Sequence, residues 1–151
     1  MTYFTTIPGN PAAFFEYSGP HDTKINNMLP ETLTAFLLGG LAYVLLELAW
    51  RGRSHISMFV TGGAAFALLH GLFVRYPIPL FYKCLAGMVL ITALEFIAGC
   101  TVNLLLKRKV WDYSRVPGNL YGQVCLGYSL LWGLLTLPIA YLSALLHALY
   151  T

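Results

Sequence analysis

The chain has 151 residues, of which 58% are hydrophobic and 10% are charged, with a formal net charge of +3 and a mean hydropathy of +0.67. Soluble domains carry about 25% charged residues to cover their surface, so this composition excludes an ordinary water-soluble domain. The small net charge gives no sign of nucleic-acid binding, and the sequence predicts that the lipid bilayer is its solvent.

The N-terminal region, residues 1–30, is rich in turn-forming and aromatic residues. It has neither the basic start nor the continuous apolar run of a cleaved signal peptide. We therefore expect residues 1–30 to form a retained, mostly irregular extracytoplasmic tail, with one short interfacial helix near residues 11–17. A transmembrane domain is predicted to follow over residues 31–151.

Four segments are apolar enough to cross a bilayer, which takes about 20 largely apolar residues. They are Leu33–Trp50, Ile56–Tyr76, Cys84–Leu106 and Val124–Tyr150. Each predicts an α-helix, because backbone amides in hydrocarbon must form their hydrogen bonds within the chain. The predicted fold class is an all-α integral membrane protein with a four-transmembrane-helix bundle.

Basic residues concentrate in the connections after the first and third segments, which hold six of them against three on the other side. The positive-inside rule therefore places the connections 51–55 and 107–122 in the cytoplasm and both termini outside. The six are Arg51, Arg53, Lys107, Arg108, Lys109 and Arg115, and the three are Lys24, Arg75 and Lys83.

A glutamate stands in the middle of the third segment. Glu95 lies 11 positions from each end of Cys84–Leu106, where a charged side chain costs about 2.5–3.5 kcal/mol on insertion scales. Such a residue is tolerated when it is protonated, paired or facing water. Two hypotheses follow: a proton or cation site inside the bundle, or a protonated glutamate that bonds another helix through Asn103, Tyr43 or Thr92.

A second acid lies near the end of the first segment. Glu47 precedes Arg51 by four positions, the favourable order for an ion pair along one helix face. The pair is either a structural feature of the interface or a charge pair at the inner mouth of a pathway.

A polar stretch begins in the connection after the third segment and continues into the fourth. It is VWDYSRVPGNLYGQVCLGYSLLWG, residues 110–133. Asp112 and Arg115 are three positions apart and are predicted to pair across one helical turn. Asp112 is also placed to cap a short helix, and Asn119 to cap the fourth segment. The stretch is thus predicted to form an amphipathic interfacial elbow between helices 3 and 4.

The aromatic residues of this elbow, Trp111 and Tyr113, are expected in the lipid headgroups. The elbow is then either a structural connection or a docking and gating element that contacts a partner or lines a cytoplasmic vestibule. Both interpretations place it at the cytoplasmic surface.

Cofactor and enzyme signatures are weak in this sequence. The three cysteines show no CxxC or Cys/His spacing, and no nucleophile motif such as GxSxG occurs, so we expect no metal site, no cofactor and no enzyme. His70 and His147 stand at similar depths near the outer ends of their segments. A bis-histidine haem is one interpretation of them, and chance placement at an interface is the other.

The elbow resembles the signature of a bacterial membrane protein family known as ABC-transporter type IV, or CmpB-like. That signature reads approximately W-D-Y-S, two or three residues, P-x-N, a few residues, G-Q, an apolar run and W. The chain supplies it as Trp111, Asp112, Tyr113, Ser114, Pro117, Asn119, Gly122, Gln123 and Trp132. In the first half the likeness rests on Glu47, Arg51, Gly52, Met58, Gly62 and Gly63. It covers about residues 33–135.

The resemblance implies a transport-related protein of the bacterial inner membrane. Because the chain has no Walker A sequence, any ATPase would be a separate subunit. We expect a permease or channel-like component, with Glu95, Glu47 and Arg51 along an ion, proton or substrate pathway. Four helices make thin walls for a pathway, so a homo-oligomer is expected.

The alternative is a non-transporting membrane adaptor that binds a partner through its cytoplasmic loops. Its contact residues would be Trp111, Asp112, Tyr113, Arg115 and Asn119.

Overall fold

The computed structural model describes the backbone of residues 20–151 and the side chains of residues 28–151. Its four long helices are α1 (Pro20–Arg51), α2 (Ile56–Arg75), α3 (Leu80–Gly99) and α4 (Leu126–Tyr150). A π-helical turn, Cys100–Leu105, continues α3, and the two-residue strands β1 (Asn119–Leu120) and β2 (Val124–Cys125) pair before α4. Within the described residues, all four helices are long and apolar enough to cross a membrane. The predicted all-α four-helix transmembrane fold is confirmed.

The first helix begins earlier than the sequence suggested. It starts at Pro20, so residues 20–30 are helical instead of irregular, while residues 1–19, including the short helix expected near residues 11–17, lie outside the described residues. A proline suits a helix start because the first backbone amides have no partner within the helix. Pro30 lies inside α1, and the hydroxyl of Thr34 donates to its carbonyl oxygen at 2.9 Å.

Glycines bring α1 and α2 into close contact. A Cβ atom added to Gly62 would overlap Tyr43, and one added to Gly39 would overlap Phe66 and the backbone of Gly62. Small residues at such positions let the helix backbones approach, which strengthens dispersion contacts where no hydrophobic effect drives association. Accordingly, α1 packs chiefly on α2.

The other helices assemble around α2. Helix α3 packs chiefly on α4, and α2 contacts both, forming a core of Ala65, Leu69, Phe73, Ile91 and Ala140. Many leucines on the outward faces are exposed, as expected for side chains that face lipid. The connections 52–55 and 106–125 lie at one end of the bundle, which we call the elbow end, with residues 106–125 as the elbow.

The close approach at Gly62 can be tested with an alanine substitution. We expect Gly62→Ala to lower the free energy of unfolding by about 1–3 kcal/mol, because the added methyl group overpacks the contact with α1. The measurement is unfolding in mixed micelles under increasing denaturing detergent.

Gly71→Ala is the matched control on the same helix, since no atom lies within 4 Å of a Cβ at that position. It should be neutral or stabilise the helix by up to about 1 kcal/mol. Equal losses from the two variants would contradict the packing argument.

Candidate functional site

The carboxyl group of Glu95 joins three helices. The Tyr43 hydroxyl on α1 donates to Oε1, and the Trp132 indole N–H on α4 donates to Oε2 at 2.7 Å. The two donor rings stack with their centroids 5.5 Å apart, and Glu95 is only 4% exposed. Both oxygens of a buried acid are therefore held by neutral donors. Tyr43 confirms one expected partner, whereas the sequence did not suggest Trp132.

The position of this group along the bundle can be judged from its partner on α4. Trp132 is six residues after Leu126, the first residue of α4, which is about 9 Å along the helix at 1.5 Å per residue. The carboxyl therefore lies in the elbow half of the bundle.

Glu47 lies one helical turn from this unit. It follows Tyr43 by four residues on α1, so about 6 Å of helix separates the two positions. Its carboxylate pairs with Arg51 and accepts a hydrogen bond of 2.7 Å from the Ser54 hydroxyl. The Glu47–Arg51 pair predicted from the sequence is thus present. Tyr43, one turn before Glu47 on α1, lies between this pair and Glu95.

Arg51 extends this polar line to the elbow, because its guanidinium donates to the carbonyl oxygen of Val110 at 3.5 Å. We call the series Glu95, Tyr43, Glu47 and Arg51 the polar track. It runs from the buried part of the bundle to the elbow end along one face of α1.

Three side chains, one from the π-helical turn and two from the elbow, form the buried interior of this connection. The Asn103 amide donates to the Trp111 carbonyl at 3.1 Å and to Gln123 Oε1 at 2.9 Å, and it accepts from the Val110 N–H at 2.7 Å. The Trp111 indole N–H donates to the Gln123 carbonyl at 2.8 Å. Trp111 is 7% exposed, so its expected place in the headgroups was wrong. A buried indole needs an acceptor, and the Gln123 backbone provides it.

The predicted short helix in the elbow is absent, since residues 106–118 form turns and bends. Asp112 accepts a hydrogen bond of 2.8 Å from the Ser114 N–H in a local turn, and this bond lowers the pKa of the Asp112 carboxyl below its usual range, with a smaller contribution from the Arg115 charge. No ion pair joins Asp112 to Arg115 among the described contacts. The local side-chain bond competes with helix formation, as is common for aspartate.

Asn119 also differs from its expected role. Asn119 does not cap α4. Instead its amide donates to the carbonyl of Val116 at 2.8 Å, and its oxygen accepts from the Gly122 N–H at 3.0 Å. Tyr113 stacks on Tyr128 with ring centroids 4.8 Å apart, and burial raises the pKa of the Tyr113 phenol above its usual range.

A tight hairpin turn completes the elbow. Tyr121 and Gly122 both have positive φ values, 51° and 68°, and the Gln123 N–H donates to the Leu120 carbonyl at 3.0 Å. Two successive positive φ values are typical of the type I′ turn that matches the twist of paired strands. The turn places Gln123 inside the elbow next to Asn103.

At the opposite end of the bundle lies a second polar cluster that the sequence did not reveal. Oε1 of Glu31 on α1 is 3.0 Å from His70 Nε2 on α2 and 2.7 Å from His147 Nδ1 on α4. The other ring nitrogen of His70, Nδ1, is 2.8 Å from the Ser143 hydroxyl. The similar depths of the two histidines were the available signal, but nothing in the sequence indicated Glu31 as their common partner.

This cluster does not fit bis-histidine haem ligation. Both ring nitrogens of His70 already have protein partners, and the two imidazoles converge on one carboxylate oxygen. Within residues 28–151, no group of three or more histidine, cysteine, aspartate or glutamate side chains is arranged to hold a metal ion.

Replacing Asn103 should loosen the elbow. Asn103→Leu removes the partners of the Val110 N–H and the Trp111 carbonyl, and each unpaired buried group costs about 1–3 kcal/mol. We expect faster amide hydrogen exchange across residues 107–123, measured by mass spectrometry. Thr101→Val is the control, because the Thr101 hydroxyl bonds only the Ile97 carbonyl of its own helix. Unchanged exchange in Asn103→Leu would refute this assignment.

The contacts of the Glu31 carboxylate indicate which ring nitrogen of each histidine donates a hydrogen bond. A carboxylate oxygen accepts, so His70 should carry its proton on Nε2 and His147 on Nδ1, while His70 Nδ1 accepts from Ser143. Nitrogen-15 NMR of labelled histidine at neutral pH distinguishes these forms, with His70→Asn and His147→Asn assigning the signals. Glu31→Leu should remove the preference in His147, and an Nε2–H tautomer in wild-type His147 would contradict the geometry.

Comparison with known proteins agrees with this architecture. A family model described as "Putative ABC-transporter type IV" matches residues 53–150. A search of curated proteins and of solved structures finds no match. The matched range includes Glu95 and the whole elbow, whereas Glu47 and Arg51 precede it. Since the family model covers more than half of the sequence, the chain belongs to the ABC-transporter type IV family of membrane proteins.

Proposed function

We propose that this protein is a permease or channel-like component of the bacterial inner membrane, in which Glu95 binds a proton or small cation during passage through the bundle. The observation that carries the proposal is the buried Glu95 carboxyl, held on both oxygens by neutral donors from two other helices. Membership of a transporter-type family and four membrane-spanning helices support a transport-related role.

The bonding of Glu95 suits a group that changes its charge. An ionised carboxylate accepts from Tyr43 and Trp132 without further change, and binding a proton requires only that one oxygen also become a donor. Among the described side chains, no lysine or arginine forms an ion pair with Glu95. The site therefore lacks a fixed counter-charge, which leaves it open to a mobile one.

Glu47 and Arg51 continue the proposed pathway toward the cytoplasmic side. Their ion pair lies one turn of α1 beyond Tyr43 and contacts the elbow through Val110. A charge leaving Glu95 would meet Glu47 next, and the orientation of Arg51 would determine whether that carboxylate is available. In this proposal the elbow is at the inner leaflet and both termini are outside, following the positive-inside rule.

The assembly is proposed to be a homo-oligomer without a catalytic site of its own. Within one chain, an open cleft of about 510 Å³ lies between α1 and α4, so a single bundle does not enclose the polar track. A second copy, or a separate membrane or ATPase subunit, would supply the missing wall.

Proton flux through reconstituted protein tests the role of Glu95. In liposomes with a trapped pH-sensitive dye and an imposed membrane potential, Glu95→Gln should reduce proton flux by about tenfold or more. The reason is that a carboxamide, unlike a carboxyl group, does not bind and release a proton. Thr92→Val, on the same helix as Glu95, is the control. The Thr92 hydroxyl is buried without a hydrogen-bond partner, so its loss should leave flux unchanged.

Equal flux in Glu95→Gln and wild type would overturn the proposed site. Absence of wild-type flux with protons, sodium and potassium would favour the adaptor alternative. The observation in favour of an adaptor is the exposure of Asp112 and Arg115 on the elbow surface. In that case, charge reversal at these two residues should abolish co-purification of a partner, whereas Trp111 is unsuitable for this test because it is buried.

A further inference from the structure

A cleft with an almost wholly apolar lining lies between α1 and α4, above a floor formed by α2. Its volume is about 510 Å³, within the range of about 300–1,000 Å³ that is typical of small-molecule sites. Leu38 and Leu45 of α1, Phe66 of α2 and Leu142 of α4 are among the side chains that line it. The cleft is therefore large enough for a molecule with several hydrophobic groups.

Two side chains carry all the polar side-chain atoms in the lining. They are Tyr43 and Trp132, and both donate hydrogen bonds to Glu95. The remaining lining residues are aliphatic, glycine, proline or phenylalanine. The polar feature in the wall of the cleft is thus a pair of stacked aromatic rings with a carboxyl group behind them.

Among the described residues, no basic side chain lies in the lining or pairs directly with Glu95 behind it. The lining contains no lysine or arginine, and the ion pairs of the described residues do not include Glu95. A carboxylate in a medium of low polarity attracts a cation strongly, and the faces of tyrosine and tryptophan rings add a further attraction for positive charge. Apolar walls, together with an aromatic wall backed by an ionisable carboxyl group, are complementary to hydrophobic molecules that carry a positive charge.

We propose that the cleft binds a hydrophobic organic cation, with its apolar groups between α1 and α4 and its positive charge against the Tyr43 and Trp132 rings in front of Glu95. This inference rests on the proposed function in one respect: it names the substrate class of the Glu95 site. The cation need not displace either hydrogen bond, because Glu95 itself is not part of the lining.

Tetraphenylphosphonium is a suitable probe, because it is permanently charged, hydrophobic and unable to form hydrogen bonds. Binding to the full chain in lipid nanodiscs is measured by equilibrium dialysis, after subtraction of binding to empty nanodiscs. Tetraphenylborate, of the same shape and opposite charge, is the matched ligand control. Saturable binding of the cation and at least about tenfold weaker binding of the anion are expected; equal binding of both would overturn the proposal.

Two kinds of variant locate the site. Glu95→Gln should weaken cation binding by about tenfold or more, and Leu142→Trp should block it by filling the cleft while leaving Glu95 in place. Leu145→Trp is the control for the latter, because Leu145 is on the same helix, exposed and outside the lining. Unaltered binding in both Glu95→Gln and Leu142→Trp would refute the site.

The outcomes separate this inference from the proposed function. Glu95-dependent proton flux without saturable cation binding would refute the organic-cation site and leave the proposed function intact. Saturable, charge-selective binding that Glu95→Gln abolishes, in a protein without proton, sodium or potassium flux, would support the organic-cation site and refute the proposed passage of protons or small cations.

Discussion

The hydrogen-bonded unit of Tyr43, Glu95 and Trp132 is the interaction on which the arrangement of the bundle depends. Helices α1 and α2 form one closely packed pair, and α3 and α4 form another. The Glu95 carboxyl lies on the second pair but accepts from Tyr43 on the first. In hydrocarbon no water can replace such a bond, so the unit fixes the position of α1 relative to α3 and α4 at this depth.

In the elbow, too, buried polar groups form their hydrogen bonds within the protein. The chain leaves α3 through a π-helical turn and must satisfy several backbone groups before α4 begins. Asn103 and Gln123 supply those partners with side-chain amides, and Trp111 covers them. Trp111 and Gln123, which belong to the family signature, therefore have a structural role: their hydrogen bonds hold the connection in its folded shape. Asp112 and Arg115 remain exposed, so the explanation does not extend to them.

The fold was predictable from the sequence because the length and hydrophobicity of a segment determine whether it crosses a membrane as a helix. The four segments and the Glu47–Arg51 pair were predicted, and Tyr43 was one of three partners suggested for Glu95. The partners of Glu31 and the contact of Trp132 with Glu95 were not predicted, because a sequence does not show which side chains of different helices face each other. The short helix predicted in the elbow is absent. The Asp112 side chain bonds the Ser114 N–H and the chain forms a hairpin at Tyr121, and residue spacing reveals neither.

Stability alone gives a weak reason for the buried polar groups. Replacing a buried charged or polar cluster with well-packed apolar residues is often neutral or stabilising by about 1–4 kcal/mol. A phenylalanine at position 43 with a leucine at position 95 would fill similar space between the same helices. Yet the chain places an acid there, a second acid one turn away at Glu47, and an apolar cleft that Tyr43 and Trp132, the partners of the first acid, help to line. Sites that depart from the packing optimum are expected where function requires them, and the juxtaposition of an acid with an open hydrophobic cleft is the departure that packing explains least.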